Sequence, residues 1–96
     1  MSTQLASDGG RLRVSGPLTL ANAAALGAAA EQYLSGELLV DLAAVTEVDS
    51  SALSLLFEWQ RAAQRRQCRL KFCNLPASLS SLAELYGVAE LIPAGA

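Results

Sequence analysis

Polar and apolar residues alternate over Arg11-Leu12-Arg13-Val14, the period-two pattern of a half-buried strand. Gly9-Gly10 just upstream reads as a turn, through which a first strand including Leu5 can fold back as a short hairpin. Met1 to Asp8 is otherwise expected to fray as a flexible N-terminus, and Gly16-Pro17 is expected to break the strand. Leu20, Ala23, Ala24, Leu26, Ala30, Tyr33 and Leu34 then recur at helical spacing, which predicts a helix capped by Thr19 and ended by Ser35-Gly36. Leu38 to Leu42 is a nearly continuous apolar run, as in a strand buried on both faces, with Ala43 to Val48 expected as a loop. A second helix is predicted from about Ser51 to Arg66, a strand over Arg69 to Phe72, and a third helix over Ser78 to Tyr86 closed by Gly87. Ala89 to Ile92 can add a last short strand.

Strands alternating with helices imply crossover connections and a largely parallel sheet. The expected fold class is therefore α/β: one domain over residues 9–93, with a mixed, mostly parallel sheet of four to five strands and three helices. The length of 96 residues suits one domain, and a hydrophobic fraction of 52% is incompatible with intrinsic disorder. Val14 to Ala30 is uncharged, yet too polar and too short to span a bilayer, and no basic-then-apolar signal segment precedes it. The net charge of −2 does not point to nucleic acid. A basic cluster of Arg61, Arg65, Arg66, Arg69 and Lys71 reads as a solvated helix end running into a strand, or as a patch for an acidic partner or anionic lipid. Cys68 and Cys73 should point to opposite faces of a strand, which disfavours a disulfide and fits a reducing compartment. With no His in the chain, a zinc site has almost no ligands, and neither metal nor cofactor is expected.

Asp49-Ser50-Ser51 lies where a strand's exit meets a helix. The first N–H groups of a helix lack internal partners, and Asp or Ser side chains accept from them. The same open N–H groups and the helix dipole favour an added phosphate, so the hydroxyls are candidate phosphorylation sites as well as caps. On a helical wheel Ala52, Leu55, Leu56, Trp59, Ala62 and Ala63 form a core face, and Ser54, Glu58, Arg61 and Arg65 lie opposite. Phe57 falls at the boundary, either as core margin or as an aromatic interface anchor. A serine nucleophile would have no His base, no glycine-rich phosphate loop exists, and Asp41 with Asp49 more simply satisfy backbone N–H groups. The chain is read as a binding module and not an enzyme.

The run from Leu39 to Leu53, LVDLAAVTEVDSSAL, resembles the signature of the STAS domain family: a strand ending in Asp-Leu, a short loop, then Asp-Ser-Ser/Thr-Gly-Leu opening a helix. The resemblance extends from Gly16 to Ile92. Read as a lone domain, the chain is most similar to the MlaB branch, through Leu82-Ala83-Glu84-Leu85-Tyr86-Gly87-Val88 and the Leu-x-Leu-Leu opening at Leu53 to Leu56. That resemblance implies a small cytoplasmic subunit that binds an MlaF-like ATPase of a phospholipid ABC transporter, itself joined to a permease at the inner membrane. It implies that Ser50 matters for the contact, and Asp49, Ser51, Ser54 and Phe57 are the further candidate partner-binding residues beside it. Resemblance to anti-sigma-factor antagonists implies instead a kinase partner and phosphorylation of Ser51. The glycine that normally follows is Ala52 here, and its methyl group is expected to crowd a kinase's approach.

Overall fold

The computed structural model describes residues 4–95. Four strands, β1 (Gln4–Asp8), β2 (Arg11–Leu18), β3 (Glu37–Val48) and β4 (Arg69–Cys73), form one sheet in the order β1-β2-β3-β4. β1 pairs antiparallel with β2, and β2-β3 and β3-β4 are parallel. Helices α1 (Leu20–Ala30), α2 (Ser50–Arg65) and α3 (Ala77–Leu85) complete an α/β domain of the expected class. The hairpin through Gly9-Gly10 forms, so Gln4 to Asp8 is paired strand and not a frayed end, while residues 1–3 lie outside the described residues.

All the large fully buried side chains lie between the sheet and the helices: Leu12, Val14 and Leu18 of β2, Val40 and Leu42 of β3, Phe72 of β4, Leu56 and Trp59 of α2, and Leu79 of α3. α2 is the central helix, with Ala52, Leu53, Leu55, Leu56, Trp59, Ala62 and Ala63 buried, the wheel's core face plus Leu53. α1 buries only Leu26 and Ala30 and ends sooner than expected, in a 3-10 turn over Glu31–Tyr33. Its capping differs too: Thr19 occupies the N-cap position, but its side chain makes no capping bond.

Three further expectations are corrected. β3 does not end at Leu42 but runs on to Val48, because two residues of β3, Leu42 and Ala43, oppose Val14 alone, and Thr46 is unmatched between Gly16 and Pro17. Such bulges break the alternation that marks a strand in sequence. They also let β2 continue through Gly16, which takes φ +96, and Pro17 to Leu18. Nor is β3 covered on both faces: Leu38, Val40 and Leu42 meet the helices, whereas Leu39 is half-buried and Ala43 exposed on the other side. Finally, Ala89–Leu91 is a 3-10 turn, not a strand. The pairing comes later, where Phe72 donates to the Pro93 carbonyl at 2.9 Å and accepts from the Gly95 N–H at 2.8 Å, covering part of the β4 edge.

Cys68 sits on the helix side with Leu70 and Phe72, and Cys73 on the opposite side. Both are buried free thiols, and desolvation pushes both pKa values up. No helix among the described residues is long and apolar enough to cross a membrane.

Candidate functional site

The exit of β3 delivers Asp49 to the N-cap of α2 with extended backbone, so its carboxylate reaches back over the first helical turn. Oδ1 accepts from the Ser51 N–H at 2.8 Å. Oδ2 accepts from the Leu20 N–H at 3.0 Å. One carboxylate thus holds the first turns of two helices, α1 and α2, at the same end of the sheet. The Leu20 N–H is the main influence holding the Asp49 carboxyl below its ordinary value. Partial burial opposes it, and the Ser51 N–H and hydroxyl add to the lowering.

With Asp49 committed to backbone, Ser50 is exposed and Ser51 half-buried on a fixed helix start. Ser54 follows on the exposed side one turn later, and Phe57 is half-buried against the core margin. The structure brings Ser50, Ser51, Ser54 and Phe57 together around a shallow depression of 320 Å³, and closes it with Tyr86 and Val88 from the end of α3. Tyr86 is 57% exposed. On the other flank of α2, Ser51 and Ser54 border a groove of 520 Å³ walled by Ala23, Ala24 and Gly27 of α1. Leu20, 76% exposed, lies at its mouth. The site is therefore a rim of hydroxyls beside exposed apolar and aromatic carbon, with the Asp49 carboxylate at its edge.

Tyr86, Val88 and Leu20 were not assigned to this site by the sequence. Helical periodicity fixes faces within one helix and says nothing of which helix ends meet. The one signal was the Leu82–Val88 segment, singled out for its resemblance but not placed against α2. Ala52 is corrected as well. It is 0% exposed, so its methyl group points into the core and obstructs nothing above Ser51.

Asp41 forms a separate centre on β3. It is 5% exposed, accepts from the Asn74 side chain and the Ala43 N–H, both at 3.0 Å, and pairs with Arg11 at 3.4 Å. The Asn74 amide, then the Ala43 N–H, then Arg11 and Arg13 hold its carboxyl below the usual range against the opposing effect of burial. Asp41 and Asp49 do not converge on one site. No group of three or more His, Cys, Asp or Glu among the described residues is arranged to hold a metal ion.

The family described as "Mlab, STAS domain" matches residues 1–93. Among solved structures, the anti-sigma factor antagonist SpoIIAA in its unphosphorylated form is similar at 13% identity and a TM-score of 0.66, over 88% of this chain and 83% of that one. The phosphorylated form of SpoIIAA, a Bacillus cell fate determinant, gives 13% identity and a TM-score of 0.69 over 99% and 92%. Part of the protein Mglu is similar at 20% identity and a TM-score of 0.59, over 77% of this chain but 20% of that one. These likenesses establish a shared fold. No curated protein sequence matches the chain significantly.

Proposed function

The chain belongs to the STAS domain family, and from that premise we propose that it is a non-catalytic docking subunit of the MlaB type. STAS domains work in general by binding other proteins. In this reading the chain binds and supports the cytoplasmic ATPase of an Mla-type ABC transporter. It sits peripherally at the inner membrane through that ATPase and its permease, and serves phospholipid transport and lipid asymmetry of the outer membrane. Ser50, Ser51, Ser54 and Phe57 form the contact, with Tyr86 added to them and Asp49 holding the helix start.

The observation that carries the reading is the engagement of both Asp49 oxygens by backbone N–H groups. It gives the carboxylate a structural role and fixes an exposed Ser50 beside half-buried Phe57 and exposed Tyr86. Hydroxyls bordered by aromatic carbon on a preorganised element suit a protein interface, where aromatic anchors dominate and rigidity lowers the cost of docking. The match to the family described with MlaB, along residues 1–93, supports the transporter branch.

The burial of Ala52 favours a second reading, an anti-sigma-factor antagonist switched by phosphorylation of Ser51. The residue expected to shield that serine from a kinase does not shield it. Co-expression with an Mla-type ATPase and, separately, with an anti-sigma kinase distinguishes the two. The first reading predicts co-purification with the ATPase and no phosphate on Ser51. Retention of the kinase alone, with a phosphate mass on Ser51, replaces it with the second.

A further inference from the structure

We infer that the helix-free face of the sheet is a second docking surface, which takes an acidic segment of a partner protein carrying one apolar side chain. This rests on the sheet alone and is independent of the transporter reading. The sequence grouped Arg69 and Lys71 with the arginines of α2. The sheet register separates them. Arg11, Leu39 and Lys71 lie in one row across β2, β3 and β4, and Arg13 and Asp41 share the next row. Four of the seven basic residues, Arg11, Arg13, Arg69 and Lys71, thus gather on a face that no helix covers, although the protein is acidic overall.

Arg11 forms an ion pair with Asp41 there, and Arg13 lies near enough to lower the same carboxyl without pairing with it. Arg13, Arg69 and Lys71 are exposed and form no ion pair among the described residues, although Asp8 stands opposite Arg11 and Glu37 opposite Arg69 in the register of the same face. Leu39, half-buried, lies between Arg11 and Lys71 in its row, at a pit of 450 Å³ lined also by Glu37, Arg69, Lys71, Gly9, Gly10 and Gly95. Gly95 presses so close that a Cβ there would stand 2.6 Å from Leu39 Cδ1 and would push that side chain aside. Unpaired cations around a recessed apolar floor match carboxylates flanking an apolar side chain.

Other polyanions fit less well. No aromatic residue points from this face, since Phe72 faces the core, so bases have nothing to stack on. A bilayer surface is flat and would leave the recessed Leu39 unfilled. Three unpaired cations also fall short of the roughly four to eight that hold a segment on anionic lipid.

The test uses the full chain and a fluorescent, end-blocked peptide of glutamates around a central leucine, read by anisotropy. The wild type should bind at low salt and release as salt screens the charges. Combined Arg13→Glu and Lys71→Glu substitutions should weaken binding by about tenfold or more. Replacing the peptide's leucine by serine should weaken it by several-fold or more. Ser50→Arg should bind the peptide as the wild type does, which separates this face from the helix-end site. The inference is overturned by absence of low-salt binding, by indifference to charge reversal in a variant whose melting is unchanged, or by preference for phosphatidylglycerol vesicles or single-stranded RNA over the peptide.

Discussion

Asp41 and Asp49 bracket the second half of β3, and N–H donors hold both carboxyls below their ordinary pKa. Their surroundings differ. Asp41 is buried among Asn74, Ala43 and Arg11 and pins the exit of β4 to the sheet, with Asn74 itself in a left-handed conformation at φ +57. Asp49 is half-exposed and pins two helix starts at the edge of the hydroxyl rim. The same residue type, offering the same acceptors, is structural in one place and presents a surface in the other. What decides is whether its donors tie strands together on the sheet, as those of Asp41 do, or belong to helix starts beside the hydroxyl rim, as those of Asp49 do.

The largest effect expected is on Asp41. Asp41→Ala leaves an amide, a backbone N–H and a guanidinium without their acceptor and should cost about 2–3 kcal/mol in urea unfolding. The folded fraction should still bind the partner of the helix-end site with wild-type affinity. Asp49→Ala should cost less, about 1–2 kcal/mol, yet weaken partner binding because Ser50 loses its fixed position. If both variants weaken docking equally at matched folded fraction, the contrast fails.

Acid titration sharpens the same comparison. A carboxylate with a lowered folded pKa contributes stability above its unfolded value, near 3.8, and loses it as pH falls through the folded value. Melting temperature should therefore hold from neutral pH to about 5 and drop below about 4. Asp41→Asn and Asp49→Asn should each flatten that drop, measured by circular dichroism across pH. The smallest effect belongs to Ala52→Gly. It should cost about 1 kcal/mol through helix propensity and lost burial. It should leave the rate of Ser51 phosphorylation by a cognate kinase unchanged, because the buried methyl group shields nothing.

The sequence disclosed the element order as far as α3, the core face of α2 and the Asp-Ser-Ser helix start, since each rests on local periodicity or capping chemistry. It hid the second half of β3, where bulges at Leu42-Ala43 and Thr46 erased the period-two signal. It hid the uncovered sheet face too, because Leu38 to Leu42 reads as apolar on both sides while Leu39 meets only a shallow pit. The Leu20 contact of Asp49 and the approach of Tyr86 to Ser50 were also out of reach. Both join segments distant along the chain, and nothing in either segment names its partner.

The central claim is that Ser50 lies within a docking surface and contributes nothing to the fold. Binding of Ser50→Arg to an immobilised Mla-type ATPase, compared with wild type alongside both melting curves, tests it directly. The account predicts stability within about 0.5 kcal/mol of wild type and loss of measurable binding. Wild-type affinity in a fully folded Ser50→Arg protein would contradict it.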